Sequence, residues 1–180
     1  MPVAHPIRVV VLAGPTGAGK TSLAIELAGA FHGEIVNADS MQVYRGMDIG
    51  TAKPWAEQRR RVPHHLLDIV RPDEAYHAAR FAEDAERAIA EIDARGHLAF
   101  LVGGTGLYIR ALADGLFNEP VLDHERREQL RAWSSDMEGG DLVRWAGRLD
   151  ARFPGGGRQR AARAIEVALL TGRALSWWQR

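Results

Sequence analysis

The stretch IRVVVLAGPTGAGKTSLAIELAGAF, residues 7–31, decides the fold of this chain. Its first part, residues 7–13, is a short valine-rich run ended by Gly14 and Pro15, which is typical of a parallel strand buried on both faces. The part after Lys20 has the period of a helix packed against a sheet, since apolar residues recur at Leu23, Ala24, Leu27, Ala28 and Phe31. The stretch therefore predicts a central strand, a loop and a helix in succession.

The predicted loop matches the phosphate-binding pattern of a glycine, four variable residues, and then Gly-Lys followed by serine or threonine. The matching residues are Gly14, Pro15, Thr16, Gly17, Ala18, Gly19, Lys20 and Thr21. Such glycines let successive backbone amides point at phosphate oxygens, while Lys20 neutralises the terminal phosphate and Thr21 can ligate magnesium. The pattern predicts a site for a diphosphate or a nucleoside triphosphate, and it does not decide between them.

The rest of the first two thirds of the chain indicates an α/β fold. Residues 35–36 predict a brief second strand, and residues 98–102 predict a third. An amphipathic helix over residues 78–95 comes between them, and residues 107–113 are predicted to be helical. Because a strand, a helix and a strand in succession imply a parallel crossover, we predict a P-loop NTPase-like core over residues 1–118, with three parallel strands flanked by helices.

Beyond Asn118 the sequence becomes helical and arginine-rich, which predicts a helical insertion subdomain over residues 119–180. Asp123 is expected to cap its first helix, and Gly172 is expected to end its last long one. Residues 123–180 carry 11 arginines against 8 acidic residues, although the formal net charge of the whole chain is zero. This excess predicts a polyanionic partner such as nucleic acid, and an arginine-rich composition without such a partner explains it equally well.

The composition excludes several classes of protein. Hydrophobic residues make up 46% of the 180 residues and charged residues 26%, which is typical of a globular protein and excludes a disordered chain. The sequence has no cysteine, so disulfides, thiolate metal sites and cysteine nucleophiles are excluded. Because no apolar stretch near the start is long enough for a membrane span or a signal peptide, we expect a cytoplasmic protein that does not bind membranes.

Asp39 follows the predicted second strand and would lie at the carboxyl edge of the sheet, beside the phosphate loop. ATPases and GTPases of this class hold magnesium with an aspartate at the end of an apolar strand, but here the third strand ends in Gly103 and Gly104. An acid at position 39 could instead accept a proton from a nucleophile. The alternative is that Asp39 only caps a helix or forms a turn.

Four further motifs carry a resemblance to a known family. They are DSMQVY at residues 39–44, MDIGTAKP at 47–54, PHHLLD at 63–68 and VGGTGLY at 102–108. Together with the phosphate loop and with the residues around Gln159, Arg163 and Glu166, they closely resemble the tRNA dimethylallyltransferase family. The resemblance covers nearly the whole chain.

The resemblance implies transfer of a dimethylallyl group from dimethylallyl diphosphate to the exocyclic N6 amine of the adenosine next to the anticodon of tRNA. It implies that Thr16 contacts the bridging oxygen, Lys20 the terminal oxygens and Thr21 the Mg2+, and that Asp39 is the general base. The target base is expected to flip out of its stack. The expected tRNA contacts are Asp39, Ser40, Met41, Gln42, Thr105, Arg127, Gln159, Arg160, Ala161, Ala162 and Arg163.

Other interpretations remain open at this stage. Without the family, Arg127, Arg160 and Arg163 would be placed on a solvated helix face, and the pair His64–His65 would be structural. The phosphate loop would also suit an ATP-dependent small-molecule or nucleotide kinase. Because family members are longer and complete a five-stranded sheet, the chain is expected to be impaired relative to them, or to be an inactive fragment that only binds tRNA. We expect a monomer.

Overall fold

The computed structural model describes residues 7–115, 120 and 122–179. The chain divides into two compact units, Met1–Leu116 and Phe117–Arg180. The boundary predicted after Asn118 falls on positions outside the described residues. Within the described residues, no helix is both long enough and apolar enough to cross a membrane.

The first unit alternates strands and helices, as a parallel α/β fold requires. In chain order its elements are β1 (Val9–Ala13), α1 (Lys20–Ala30), β2 (Gly33–Asn37), α2 (Ala56–Arg61), β3 (His64–His65), α3 (Ala78–Ala94), β4 (Leu98–Gly103) and α4 (Gly106–Ala113). The strands form one sheet in the order β1-β4-β2-β3, and every pair is parallel. The predicted fold class is confirmed.

Two details of the predicted sheet are wrong. The described sheet has four strands instead of three, because His64 and His65 pair with Ile35 and Val36. Two polar residues are too short a run to produce a strand period, so the pattern missed them. The described sheet also places β1 at an edge and β4 beside it, so β1 is not central, and Val11 remains 47% exposed.

Both faces of the inner strands are buried, as their continuous apolar runs predict. On β4, Ala99 and Leu101 pack with α3 and α4, while Phe100 and Val102 pack with α1. The close spacing of β2 and β4 also explains Gly33, where an added Cβ would lie 2.3 Å from the Phe100 ring. Alternation along β2 and β4 therefore builds two separate apolar layers, and the α1 layer is the one that reaches the phosphate loop.

The second unit is helical, as predicted. It contains α5 (His124–Ser135), α6 (Gly139–Leu149), α7 (Arg158–Thr171) and α8 (Leu175–Trp178). Its core consists of Leu142, Ala146, Ala161, Ala164 and Ile165. The predicted caps are confirmed: the Asp123 side chain accepts from the Arg126 amide at 2.8 Å, and Gly172 ends α7 with a left-handed φ of 70°.

A buried carboxylate near the start of β2 holds two neighbouring segments, β3 and the connection from α3 to β4. Glu34 accepts two hydrogen bonds of 2.9 Å from Arg95 and lies 2.6 Å from His65 Nε2 and 2.7 Å from His97 Nδ1. The hydrogen bonds from Arg95 lower the pKa of Glu34 from its ordinary 4.5 to about 2; burial opposes this shift, and the two histidines reinforce it. Glu34 therefore stays ionised in the folded protein over most of the acid range.

We expect Glu34→Gln to lower the free energy of unfolding at neutral pH by about 1–3 kcal/mol, because it removes charge-assisted hydrogen bonds at a buried site. Since the folded pKa lies below the unfolded one, the contribution of Glu34 is present above about pH 4.5 and is lost as the pH falls towards 2. Urea unfolding at several pH values measures this. If acidification lowered the free energy of unfolding equally in the parent and in Glu34→Gln, the assigned role of Glu34 would be wrong.

Candidate active site

The phosphate loop has the backbone geometry of an anion cradle. Gly17 and Gly19 adopt left-handed φ values of 84° and 75°, which glycine reaches without strain. No side chain caps the start of α1 and its first turn has no acidic residue, so its amides remain available to an anion. Lys20 Nζ donates to the Pro15 carbonyl at 2.7 Å and spans the loop.

A cavity of about 250 Å³ opens beside this loop. Its polar side is formed by loop and α1 residues, including Thr16, Lys20 and Thr21, and Asp39 faces it from the end of β2. Its apolar wall consists of Ala24, Ile35, Ala52, Pro54, Leu67 and Val102. The cavity therefore suits an amphiphilic ligand with an anionic head and a short hydrocarbon part.

Most of the predicted loop and base-binding residues come together at this cavity. Those that line it are Thr16, Gly17, Gly19, Lys20, Thr21, Asp39 and Gln42. Gly14, Pro15, Ala18, Ser40, Met41 and Thr105 are close in the fold but do not line it. The roles assigned to all of these residues stay predictions.

Asp39 is held in place by its neighbours. The Asn37 side chain accepts from the Asp39 amide at 3.3 Å and donates to the carbonyls of Asp39 and Leu66 at 3.2 and 3.0 Å. Asp39 Oδ1 accepts from the Met41 amide at 2.9 Å. Asp39 is therefore a turn former, as the alternative interpretation proposed, and it also presents a carboxylate to the cavity.

Thr105 joins the ends of β2 and β4. Its hydroxyl accepts from the Ser40 amide at 2.9 Å and donates to the Ser40 hydroxyl at 3.3 Å, and its own amide donates to the Ala38 carbonyl at 3.2 Å. Two segments predicted separately to contact RNA are thus one hydrogen-bonded unit.

Gly103, the last residue of β4, is required by the close approach of another backbone segment, and Gly104 after it is tightly packed. A Cβ on Gly103 would lie 2.2 Å from the Ala38 carbonyl oxygen, and one on Gly104 would lie 3.1 Å from the Gly14 carbonyl oxygen. An aspartate at the end of β4, as in ordinary ATPases, would therefore not fit. This explains why the acid at this edge of the sheet belongs to the β2 loop instead.

A buried lysine fixes the segment that forms one wall of the cavity. Lys53 Nζ lies 2.8 Å from Asp48 and 2.7 Å from Asp68, and it donates to the Tyr44 carbonyl at 2.8 Å. Burial alone would lower the pKa of Lys53, but its bonds to Asp48 and Asp68 outweigh that effect and raise it. Because Lys53 stays charged, it anchors Ala52 and Pro54, its neighbours in the cavity wall.

The two histidines of β3 differ in their surroundings. His65 pairs with Glu34, which agrees with a structural role. His64 pairs in register with Ile35 and lines the cavity, and burial lowers its pKa. His64 is therefore a neutral part of the cavity wall at neutral pH.

The predicted RNA contacts of the second unit lie in different environments. Arg127 and Arg163 both hydrogen-bond to the buried Glu166. Gln159 and Arg160 are exposed at the start of α7 and Ala162 is half-buried, whereas Ala161 is fully buried in the helical core. The Ala161 side chain is thus inaccessible in this structure, and its predicted contact is untested.

Within the described residues, no cluster of three or more histidine or acidic side chains could hold a metal ion. Thr21, at the junction of the loop and α1, offers one hydroxyl oxygen to the cavity. Mg2+ commonly keeps several waters and binds through few protein ligands together with substrate phosphates. The residues present fit a magnesium ion held mainly by a bound diphosphate.

The sequence profile of the IPP transferase family matches residues 42–180. The chain belongs to this family. A curated tRNA dimethylallyltransferase of Geobacter metallireducens is 54% identical over 178 residues, which cover 96% of this chain and 57% of that protein. One of Xanthomonas oryzae pv. oryzae is 46% identical over 183 residues, covering 99% and 56%.

Two solved structures share the fold of this member of the IPP transferase family. The tRNA isopentenylpyrophosphate transferase of Bacillus halodurans is 40% identical with a TM-score of 0.63, and the match covers 93% of this chain and 57% of that one. A eukaryotic dimethylallyltransferase acting on tRNA is 32% identical with a TM-score of 0.65, covering 94% and 43%. The chain thus spans little more than half the length of the curated relatives it matches.

The sequence alone did not identify Asn37 or Lys53 as parts of the site. The sequence signal available for Asn37 was its place at the end of an apolar strand; the structure shows that it is buried, where a side-chain amide needs partners. Lys53 is one of only two lysines in the chain, and it lies within a motif. Its two acidic partners could not be identified without the fold.

We expect Gly103→Ala to destabilise the protein by about 2 kcal/mol or more, because the new methyl group would overlap the Ala38 backbone. Gly106→Ala is the matched control, since a Cβ added there, at the start of α4, would meet no atom within 4 Å, and we expect a change within about 1 kcal/mol. Thermal melting of both variants measures this. Equal melting temperatures would contradict the close approach.

Proposed function

We propose that this chain transfers a dimethylallyl group from dimethylallyl diphosphate to the N6 amine of the adenosine next to the anticodon of tRNA, releasing diphosphate. The observation that carries the proposal is the cavity that combines a phosphate loop, an apolar wall and the Asp39 carboxylate. The names of the curated relatives and of the solved structures support the same reaction.

The loop residues would act on the leaving group. As the allylic C–O bond breaks, negative charge grows on the diphosphate, and the amides of Gly17, Ala18 and Gly19 together with Lys20 would stabilise it. Thr16 would contact the bridging oxygen. A Mg2+ ion beside Thr21 would supply further neutralisation of the diphosphate charge.

Asp39 would act on the nucleophile. The adenine amine must lose one proton as its nitrogen bonds to the allylic carbon, and a carboxylate at the cavity edge accepts that proton. Asn37 would hold Asp39 in position through its two hydrogen bonds to the Asp39 backbone, while its third bond, to the Leu66 carbonyl, fixes the amide itself. The hydrocarbon part of the donor would lie against Ile35, Leu67 and Val102.

Recognition of the tRNA would involve both units. Ser40, Met41, Gln42 and Thr105 would surround the flipped base at the carboxyl edge of the sheet. The helical unit would contribute Arg127 and the start of α7 (Gln159, Arg160 and Arg163), where arginine exceeds acid in the sequence. A cytoplasmic monomer accords with this function.

The first test is thermal melting of the chain with Mg2+ and either dimethylallyl diphosphate or ATP. At about a hundredfold excess over Kd, we expect dimethylallyl diphosphate to raise the melting temperature by several degrees and to exceed the effect of ATP. Lys20→Ala should abolish most of that shift, because it removes the positive charge at the terminal phosphate. A shift by ATP alone would instead indicate a kinase.

We expect Asp39→Asn to reduce prenyl transfer to tRNA by about 10²–10⁴-fold while leaving binding of dimethylallyl diphosphate nearly unchanged. Asparagine keeps the oxygen that accepts from the Met41 amide, so the turn is preserved while the basic group is lost. Transfer of radiolabelled dimethylallyl groups measures the rate, and the melting shift measures donor binding. Transfer at the parental rate would exclude Asp39 as the base.

A further inference from the structure

One buried carboxylate in the helical unit gathers three arginines. Glu166, on α7, is only 6% exposed. Its Oε1 accepts from Arg127 Nε and from Arg163 Nη1, the latter at 2.6 Å, and its Oε2 lies 3.6 Å from Arg131 Nε. Arg127 and Arg131 are one turn apart on α5, so the carboxylate joins one face of α5 to α7.

This cluster, Arg127–Arg131–Arg163–Glu166, keeps a net positive charge. Three guanidinium groups surround Glu166, and the arginine side chains remain 32%, 51% and 23% exposed in the order Arg127, Arg131 and Arg163. Glu128, which is half exposed, pairs with Arg131 at 3.1 Å through Nη1. Arg127 and Arg131 meet Glu166 through Nε, so Glu166 does not occupy their terminal amino groups. With Glu128 counted, these five side chains keep a formal charge of +1, so the cluster can bind a further anion.

The burial of Glu166 is not explained by stability alone. A buried ion pair is often no more stabilising than apolar side chains of similar volume, because both charges lose their hydration. What a buried carboxylate does provide is fixed positions for flexible arginines, which lose less rotamer entropy when they then bind a phosphate. Guanidinium groups suit phosphate oxygens because their planar donors form paired hydrogen bonds.

We infer that Glu166 is a positioning residue that holds Arg127, Arg131 and Arg163 as one phosphate-binding surface for the RNA backbone. This inference rests on the proposed function; it adds Arg131 to the predicted RNA contacts and Glu166 as the residue that positions them. The expected effect of removing Glu166 is the opposite of what charge alone predicts. Removal of a negative charge from a surface that binds a polyanion should weaken binding, whereas a carboxylate that merely neutralises arginines should strengthen binding when it is removed.

The test measures binding of a fluorescent anticodon stem-loop RNA to the full chain over a range of salt concentrations. We expect Glu166→Gln to weaken binding roughly tenfold and to reduce the slope of log K against log salt by about 1 or more, as phosphate contacts are lost. Asp141→Asn is the matched control, because it removes one acid that pairs with Arg144 on α6. The control should bind equally or more tightly.

Binding of Glu166→Gln at or above the parental affinity would overturn the inference. If circular dichroism shows that Glu166→Gln does not fold, Arg131→Ala tests the inference instead, because it leaves Glu166 paired with Arg127 and Arg163. We expect it to lower the slope by about 0.9, and to do so more than Arg144→Ala, which removes the same charge elsewhere in the unit. Equal effects of the two would overturn the inference. A parent chain that binds dimethylallyl diphosphate but no RNA would refute the proposed tRNA function itself, and the inference with it.

Discussion

The close approach of the β4 terminus to the backbone that leaves β2 is the constraint on which the rest of the first unit depends. At Gly103 the Ala38 carbonyl occupies the space of a side chain, and the Ala38 amide donates to the Val102 carbonyl at 2.8 Å. This contact brings Thr105 within hydrogen-bond distance of Ser40 and leaves Asp39 facing the phosphate loop. A larger residue at position 103 would therefore displace the site as well as the strand.

The same sheet supplies the two chemical characters of the cavity. Parallel strands end together at one edge, so their terminal loops contribute polar groups there, while residues one step back along β2 and β4 contribute apolar side chains. Asn37 and Ile35 are two residues apart on β2 and both line the cavity. This arrangement therefore matches a ligand with an anionic head and a short hydrocarbon part, and both parts of the ligand would contact the same sheet edge.

Sequence reasoning succeeded where the information is local. The phosphate loop, the long helices and the caps at Asp123 and Gly172 each depend on neighbouring residues, and the order of strand and helix fixes the parallel fold class. The short helices α2 and α8 were not predicted. Sequence reasoning failed where partners are distant in the chain: Ser40 and Thr105 are 65 residues apart, and Arg127 and Glu166 are 39 apart. The edge position of β1 could not be predicted either, because an apolar run indicates that a strand is buried but does not indicate which strands lie beside it.

The two units would hold their proposed ligands by different means, and the shapes of those ligands explain why. A small diphosphate has a fixed shape, so backbone amides and one lysine at a helix start can be set in advance to match it. A nucleic-acid backbone is long and variable, and side-chain guanidinium groups adapt to it at the cost of conformational entropy. A buried acid such as Glu166 reduces that cost by fixing the arginines before binding. For binding RNA, the positions at which the arginines of the second unit are held therefore matter more than the net charge of its sequence.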